Sequence, residues 1–338
     1  MNVKDYDYYL PDELIAQNPL EKRDTSKLMV LKRDENLLKH ETFYDIVNYF
    51  NKGDVLVVNN SKVLPARLHG KKTDTNANIE VLLLKEINKD VWEILVKPQR
   101  RVKVGTIVSF NNKLTLEILE LRGSGIATCK LIYDGVLYEI LEELGEMPLP
   151  PYIKKKLDNQ DRYQTIYAKE LGSAAAPTAG FHFTDEIINK LTNKGVEILE
   201  VTLHVGLGTF RPVEVKKIED HKMHSETYYI DEVTANKLNE AKKSGKKITA
   251  VGTTTVRTLE SNFDNGFKPG IFETNIFIYP GYKFKVIDHL ITNFHLPKST
   301  LLMLVSAFYQ KDKIIEAYQE AISKNYRFFS FGDAMLIY

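Results

Sequence analysis

The residues of this chain that could do chemistry are concentrated in its second half, in short segments rich in glycine, threonine and histidine. Glycines let the backbone approach a ligand closely, and His, Arg and hydroxyl side chains can recognise one. The segments are AAAPTAGFHF (174–183), LHVGLGTFRPV (203–213), HKMHSE (221–226), GTTTVRTLES (252–261), LITNFHLPKSTLLMLVSAF (290–308) and FGDAML (331–336). Their number indicates one large, polar, preformed binding site, which is more typical of an enzyme than of a scaffold.

Two histidines in these segments are candidates for acid–base chemistry. His182 and His204 could each accept or donate a proton near pH 7, and the alternative for each is a structural histidine with satisfied hydrogen bonds. His221 and His224 stand three residues apart and could meet on a helix. A metal site would need more ligands, and the sequence has no HExxH motif and only one cysteine, Cys129. We therefore expect no metal.

GTTTVRTLES has the composition of a strand–turn–helix junction that binds an anion. Gly252 permits a tight turn, and Thr253–Thr255 offer hydroxyls and an N-cap. A helix beginning at Val256 would direct free amides and a partial positive charge outward. Arg257 could add a bidentate donor for a carboxylate or a phosphate. The alternative is a plain capped helix with a surface arginine.

Two further segments give weaker signals. GLGT (206–209) lacks the third glycine of a dinucleotide-binding fingerprint, so its interest lies in its position just before Arg211. In PKSTLLMLVSAF (297–308), Ser299 or Thr300 is predicted to cap an apolar helix that belongs to the core. Only the polar residues that precede this helix are candidates for binding.

Length and composition describe a globular protein of two domains. The chain has 338 residues, 43% of them hydrophobic and 27% charged, and its net charge is +1. This balance argues against coating nucleic acid by bulk electrostatics, although KPQRRVK (97–103), YIKKK (152–156) and KKSGKK (242–247) concentrate positive charge. The sequence shows no signal peptide and no apolar run long enough to span a bilayer, and its single cysteine fits a reducing compartment. We expect a cytoplasmic protein, and the size and charge are compatible with a monomer.

The hydrophobic pattern changes along the chain. From about residue 60 to 145, six short segments predict strands of a small barrel or sandwich, namely ARLHGKK, IEVLLLKEI, VWEILVKP, TIVSF, LTLEILEL and GIATCKLIY. GEMPLPPY (145–152) carries three prolines and predicts a rigid linker.

After the linker, helices and strands alternate. Thr184 is predicted to cap a helix over 185–194, which is followed by a strand over 199–205. A second helix over 232–243 leads to a strand over 247–251. This alternation predicts an α/β fold, with polar loops after the carboxyl ends of the strands, where open α/β sheets bind ligands.

The two patterns together predict the domain organisation. We expect a discontinuous α/β main domain formed by residues 1–58 and 151–338. A small β-barrel domain, residues 59–150, would be inserted into it.

Taken together, these segments resemble one family, the S-adenosylmethionine:tRNA ribosyltransferase-isomerases of queuosine biosynthesis. The resemblance runs essentially from end to end, and the ordered set of motifs is very specific. Besides the segments given above, it rests on YDYYLPDELIAQNPLEKRDTSKLMVL (6–31), VNNSKVLPARLHG (58–70), WEILVKPQRRVKVG (92–105), GEMPLPPYI (145–153), DRYQTIYA (161–168) and YRFFSFGDAMLIY (326–338).

The resemblance implies an α/β domain with an inserted β-barrel and an unusual use of S-adenosylmethionine. The ribosyl part, not the methyl group, would pass to the aminomethyl group of 7-aminomethyl-7-deazaguanine at the wobble position of a tRNA. The products would be epoxyqueuosine-tRNA, adenine and methionine. S-adenosylmethionine would thus be a consumed co-substrate, no resident cofactor is expected, and the other partner would be the anticodon stem-loop.

This chemistry needs a base, a proton donor for adenine and a water-poor pocket, because the sulfonium acidifies the C5′ hydrogens and the acceptor amine must attack unprotonated. The predicted catalytic residues are His182, His204 and Asp333. The predicted substrate-binding residues are Thr178, Gly180, Gly206, Gly208, Thr209, Arg211, Gly252, Thr253, Thr254, Arg257, Asn293, His295 and Lys298. The predicted tRNA-binding residues are Lys97, Arg100 and Arg101.

Two other functions fit parts of the pattern. An ordinary S-adenosylmethionine-dependent RNA methyltransferase would release S-adenosylhomocysteine and never adenine. A non-catalytic tRNA-binding module would need the basic patches but not His182, His204 or the glycine-rich loops. The chain departs from the family at Asn60, where aspartate is common, and this matters if the carboxylate charge is essential.

Overall fold

The computed structural model describes residues 1–33, 35, 37–206 and 213–338. The chain folds into two compact units. The first contains residues 1–61, 151–170 and 176–338, and the second contains residues 62–150 and 171–175. The first boundary thus lies at residue 61 where 58 was predicted, and a short return segment, 171–175, belongs with the second unit.

The described residues form seventeen strands and six α-helices. The strands are β1 (Lys27–Lys32), β2 (Leu37–Thr42), β3 (Val55–Asn59), β4 (Ser61–Val63), β5 (Arg67–Lys72), β6 (Asn78–Asn88), β7 (Val91–Lys97), β8 (Ile107–Phe110), β9 (Leu114–Gly123), β10 (Ile126–Tyr133), β11 (Glu170–Ser173), β12 (Glu197–Leu203), β13 (Glu226–Ile230), β14 (Ile248–Val251), β15 (Gly270–Thr274), β16 (His289–Asn293) and β17 (Ala334–Ile337). The helices are α1 (Leu137–Leu144), α2 (Asp185–Asn193), α3 (Glu232–Lys243), α4 (Gly252–Asn262), α5 (Thr300–Phe308) and α6 (Lys311–Ser323).

The first unit is built on a nine-stranded mixed sheet in the order β15-β13-β12-β3-β14-β16-β17-β1-β2. Its central strands β12, β3, β14 and β16 are parallel to one another. Strands β3, β14 and β17 are buried along their whole length, as expected for a sheet covered on both faces. These features confirm the predicted α/β fold.

The second unit contains a closed six-stranded barrel in the order β10-β7-β6-β5-β8-β9. In β7 the side chains of Trp92, Ile94 and Val96 are buried and alternate with more exposed residues. This alternation is the period of two that a barrel wall requires. Each of the six segments predicted as strands forms one, and the alternatives of barrel and sandwich resolve in favour of the barrel.

Helix α2 follows the sequence signals closely. It begins after Thr184, whose hydroxyl accepts a hydrogen bond from the amide of Ile187 at 3.3 Å, as the predicted N-cap should. Helix α3 occupies the predicted range, and the hydroxyl of Ser299 caps α5 by accepting from the amide of Leu302 at 3.2 Å. No described helix is both long and apolar enough to cross a bilayer.

Helix α4 begins four residues earlier than predicted. Gly252 adopts a φ of +85°, which lets the chain turn directly from β14 into the helix, so the following threonines lie inside the first turn and do not cap it. The hydroxyl of Thr255 instead donates to the carbonyl of Val251 at 2.7 Å. The helix is buried on almost every side, and this burial stabilises it in place of a cap.

Glu260 on α4 is a fully buried carboxylate that organises the chain before β16. It accepts hydrogen bonds from the backbone amides of Lys285, Val286 and Ile287 at 2.9–3.2 Å and from the hydroxyl of Tyr282 at 3.1 Å. Four donors satisfy the charge, which is the condition for burying it.

We expect Glu260→Ala to lower the free energy of unfolding by about 3 kcal/mol or more, because it leaves several buried amides without an acceptor. Glu260→Gln should cost less. Glu240→Ala, on the exposed face of α3, is the control and should change stability by less than about 0.5 kcal/mol. Chemical denaturation measures all three, and equal losses for Glu260→Ala and Glu240→Ala would contradict this role.

Candidate active site

Six strand ends meet at one edge of the main sheet. The carboxyl ends of β12, β3, β14 and β16 lie there because these strands are parallel. Strand β17 is antiparallel to β16, and β1 is parallel to β17, so the amino ends of β17 and β1 lie at the same edge. The topology therefore brings the residues before β1 and β17 next to those that follow β14 and β16.

A cleft opens at this edge. Its wall is largely apolar and aromatic, with contributions from Tyr152, Phe294 and Phe329, and it carries a few hydroxyl, amide and imidazole groups. This composition is typical of a small-molecule site. Six of the predicted substrate-binding residues line it, namely Thr178, Gly252, Thr253, Thr254, Asn293 and His295.

A chain of hydrogen bonds runs behind the cleft from Ser26 to Thr178. The Oγ of Ser26 lies 2.7 Å from Nδ1 of His182, and Nε2 of His182 lies 3.1 Å from Nδ2 of Asn293. The hydroxyl of Thr178 donates to Oδ1 of Asn293 at 3.1 Å. Since an amide nitrogen can only donate, Nε2 must accept, and the imidazole proton lies on Nδ1 and is donated to Ser26.

The His182 imidazole is neutral at physiological pH. The side chain is buried, and burial lowers its pKa to about 3, with the charges of Arg327 and Arg23 acting in the same direction. Both ring nitrogens are engaged in the chain of hydrogen bonds. The geometry suits it to orienting Asn293, and a catalytic role for His182 stays a prediction.

His295 is a second buried, neutral imidazole, and it lines the cleft directly. Its Nε2 lies 2.8 Å from the hydroxyl of Thr292, and burial lowers its pKa to about 3. Its backbone is fixed by two tyrosines, because the amide donates to Tyr318 at 2.9 Å and the carbonyl accepts from Tyr8. The segment after β16 is therefore held rigidly against the cleft.

His204, directly after β12, differs from these two histidines. Burial lowers its pKa, so that it too is neutral. Its Nδ1 is buried and has no hydrogen-bond partner within the described part of the chain. The next residue, Val205, lines the cleft. Of the two predicted catalytic histidines, His182 has both ring nitrogens engaged, whereas the buried Nδ1 of His204 has no partner among the described residues, and a catalytic role for His204 stays a prediction.

Asp333 fastens two chain segments together at the same edge. Its Oδ1 accepts from the amide of Lys27 at 3.0 Å and its Oδ2 from the amide of Arg327 at 2.8 Å. Burial raises its pKa, although these bonds and the nearby positive charges oppose the shift. The observed contacts are those of a structural carboxylate that holds the start of β1, and the predicted catalytic role is untested.

Arg257 is a buried partner of Glu226 and not the surface arginine considered as an alternative. It is 2% exposed and forms an ion pair with Glu226 on β13. Burial disfavours the charge of Glu226, but Arg257 and His224 outweigh burial and lower its pKa. Glu226 also accepts from the amide of Gly206 at 3.0 Å. Glu226 thus joins the buried Arg257 to the partly buried backbone of Gly206.

The remaining predicted substrate-binding residues either do not line the cleft or fall outside the described residues. Lys298 is exposed and its ammonium contacts Asp7 at 2.9 Å, so it lies away from the cleft wall. Gly180 is needed for packing, because a Cβ there would lie 2.1 Å from the hydroxyl of Tyr167. Three predicted residues fall outside the described residues, namely Gly208, Thr209 and Arg211.

The predicted tRNA-binding residues belong to the barrel unit. Lys97 ends β7, and Arg100 and Arg101 lie in the 3-10 turn that follows it. Lys97 and Arg101 line an open groove together with Lys71 and other polar residues. The arrangement is a cluster of exposed positive charge, and its role in binding RNA stays a prediction.

The possibility that His221 and His224 meet on a helix is not realised, because both lie in irregular chain between Asp220 and β13. His224 instead contacts Glu226 at 3.1 Å. Among the described residues, no group of three or more His, Cys, Asp or Glu side chains is placed to hold a metal ion.

Sequence reasoning missed two polar residues that shape the site. Asn59, at the end of β3, donates from Nδ2 to the carbonyl of Leu203 at 3.1 Å and to the hydroxyl of Thr254 at 3.3 Å. Ser26 completes the hydrogen-bond chain through His182. The available signal was the polar sequence directly after the apolar run 54–58, because polar residues at the carboxyl end of a strand mark a ligand-binding edge.

Comparison with known proteins identifies the family. The family model described as "Queuosine biosynthesis protein" matches residues 3–337. The chain belongs to the queuosine biosynthesis protein family. A crystal structure of S-adenosylmethionine tRNA ribosyltransferase from Thermotoga maritima is 40% identical, with a TM-score of 0.56, and the match covers 99% of this chain and 100% of that one. The mixed sheet and closed barrel of this queuosine biosynthesis protein agree with that relationship.

The two buried histidines predict a specific loss of stability in acid. In the unfolded chain each imidazole takes up a proton near pH 6.5, whereas in the folded chain His182 and His295 do so only near pH 3. The unfolded state therefore binds more protons between these values, and stability should fall with decreasing pH by about 1.4 kcal/mol per unit for each histidine.

Denaturation at a series of pH values tests this expectation. His295→Gln should reduce the slope of unfolding free energy against pH by the contribution of one histidine, and should leave the slope above pH 6.5 unchanged. His40→Gln, which replaces a partly exposed histidine on β2, is the control. An unchanged slope in His295→Gln would contradict the lowered pKa, because it would show that His295 takes up a proton over the same pH range in the folded and unfolded chain.

Proposed function

We propose that this protein is an S-adenosylmethionine:tRNA ribosyltransferase-isomerase. It transfers and isomerises the ribosyl moiety of S-adenosylmethionine onto 7-aminomethyl-7-deazaguanine at the tRNA wobble position, and it releases adenine and methionine. The observation that carries the proposal is the cleft at the carboxyl edge of the sheet, which gathers six predicted substrate-binding residues in a member of this family.

The cleft has properties that suit the adenosyl part of the donor. Tyr152, Phe294 and Phe329 provide apolar and aromatic surface, and such surface excludes water from a reacting centre. Helix α4 begins at the cleft with Gly252 and Thr253, so unsatisfied first-turn amides and the positive end of the helix dipole face this region. Asn293, held by His182, adds a fixed polar group.

We assign the proton-transfer steps to His204 and the orienting role to His182. His204 is neutral, its buried Nδ1 has no partner among the described residues, and the next residue, Val205, lines the cleft. Acid–base transfer at C5′ and at adenine would require the bound substrate to reach this nitrogen. His182 has both nitrogens engaged and a pKa far below neutrality, so it is poorly suited to either step.

The remaining parts of the proposal concern partners. Lys97, Arg100 and Arg101 would contact the anticodon stem-loop, because clustered positive charge on an exposed surface favours the phosphate backbone. S-adenosylmethionine would be consumed as a co-substrate, with no resident cofactor. The protein would act in the cytoplasm as a monomer.

The test is chromatography of the small molecules released from S-adenosylmethionine and an anticodon stem-loop that carries 7-aminomethyl-7-deazaguanine. We expect adenine and methionine in equal amounts, with release dependent on the modified RNA. Release of S-adenosylhomocysteine would instead identify a methyltransferase. Folded protein that binds the RNA without turnover would support a non-catalytic binding module, and Asn60 would be the first residue to examine.

Replacing His204 should separate catalysis from binding. We expect His204→Ala to lower the rate of adenine release by about 10² to 10⁴, the usual contribution of a general acid–base group, while RNA affinity stays unchanged. His221→Ala, in the chain before β13, is the control and should retain activity. Full activity in a folded His204→Ala variant would contradict the assignment.

A further inference from the structure

A second cleft in the first unit is lined by three arginines. Arg23, Arg162 and Arg327 share it with Ser26 and Ser330. We infer that this arginine cleft binds a phosphate group of the RNA backbone. The inference rests on the proposed function, which supplies an RNA substrate.

Each guanidinium in the arginine cleft is fixed by a backbone carbonyl. Arg23 donates from Nη1 to Gln164 at 2.8 Å, Arg162 from Nη2 to Leu20 at 2.5 Å, and Arg327 from Nη2 to Phe331 at 2.6 Å. Anchoring one arm of each fork restricts the side chain before a ligand arrives, which reduces the entropic cost of binding. Arg327 is anchored by both arms, because its Nη1 also donates to the carbonyl of Asn18 at 3.3 Å. Arg23 and Arg162 keep further donors for a ligand, and the buried Nε of Arg162 has no hydrogen-bond partner in the described part of the chain.

The charges in the arginine cleft are only partly compensated. Arg327 has a carboxylate nearby, since its Nε lies 3.8 Å from Oδ1 of Asp333. Arg23 and Arg162 form no ion pair with any described residue, although they also line an adjoining open groove that contains the carboxylates of Glu21, Asp24, Asp185 and Glu186. Burial lowers the pKa of Arg23, and the charge of Arg162 lowers it further. An anion between these two guanidiniums would relieve both effects.

The chemistry of the lining favours a phosphate over the amino-acid end of S-adenosylmethionine. That end carries an ammonium group as well as a carboxylate, and among the described residues no carboxylate side chain lines the arginine cleft to receive it. Three guanidiniums would repel the ammonium, whereas a phosphodiester offers oxygens to more than one fork at once.

The surroundings of the arginine cleft also suit a nucleic acid. The rings of Phe181 and Phe331 stack with centroids 5.9 Å apart, and the guanidinium of Arg23 lies 5.6 Å from the Phe181 centroid. Both rings are buried, so they form a rigid apolar wall that helps to hold the Arg23 guanidinium in place. Ser330 lines both this cleft and the cleft proposed for the donor, so a bound phosphate would lie next to the reacting centre.

The test is the affinity of the modified anticodon stem-loop, measured by fluorescence anisotropy over a series of salt concentrations. We expect Arg162→Gln and Arg23→Gln each to weaken binding about tenfold and to reduce the slope of log K against log salt by about 0.7 to 1. S-adenosylmethionine affinity, measured by calorimetry, should not change. Lys243→Gln, which removes an exposed charge at the end of α3, should leave the salt slope unaltered.

A second measurement locates the contact without depending on one variant. Stem-loops with single methylphosphonate linkages remove one phosphate charge at a time. One linkage should weaken binding to the wild-type protein but not to Arg162→Gln, because the variant has already lost that interaction. Arg162→Lys, which keeps the charge but not the fork, should give an intermediate affinity. Thermal melting checks that each variant folds.

The outcomes distinguish this inference from the proposed function. Wild-type protein that releases adenine, with folded arginine variants that bind RNA at unchanged affinity and salt slope, would overturn the inference alone. Loss of S-adenosylmethionine affinity with intact RNA binding would also overturn it, by assigning the arginine cleft to the donor's carboxylate. Wild-type protein that neither binds RNA nor releases adenine would overturn both.

Discussion

The site depends on the neutral imidazole of His182, which is buried in the main unit. His182 is 4% exposed, and its two nitrogens join Ser26, before β1, to Asn293, at the end of β16. Because the amide oxygen of Asn293 also accepts a hydrogen bond from the hydroxyl of Thr178, the orientation of the Asn293 side chain is fixed from both sides. A protonated imidazole could not accept a hydrogen bond from the amide nitrogen of Asn293. The position of Asn293 in the cleft wall and the low pKa of His182 therefore depend on each other.

The mixed sheet explains why residues so distant in sequence meet here. Four parallel strands bring their carboxyl ends to one edge of the sheet. Because β17 is antiparallel to β16 and parallel to β1, the amino ends of β17 and β1 lie at the same edge. Asp333 then ties the starts of these two strands together by accepting from Lys27 and Arg327. One edge can therefore hold both the cleft proposed for the donor and the arginine cleft proposed for the RNA phosphate.

Local signals in the sequence predicted the helices and strands well, but they did not predict pairings between residues far apart in the sequence. The barrel strands, the Thr184 cap and the range of α3 follow from periodicity and capping, which act over a few residues. The predicted start of α4 was wrong, because burial stabilises that end of the helix and no capping hydroxyl does. The pairing of Arg257 with Glu226 depends on the contact of α4 with a strand that the local pattern does not reveal. At Asn60, where the family commonly has aspartate, the amide nitrogen donates a hydrogen bond to a carboxylate oxygen of Glu200 at 3.0 Å, so this side chain has a structural partner.

The most direct test is nitrogen-15 NMR of the histidine side chains, with His182 assigned by the spectrum of a His182→Gln variant. We predict a neutral imidazole protonated at Nδ1, with shifts that stay constant from about pH 8 to about pH 5. A His182 signal that titrates near its ordinary value of 6.5, or one that shows the proton on Nε2, would contradict the account. Either result would mean that His182 does not hold Asn293 in the way the cleft requires.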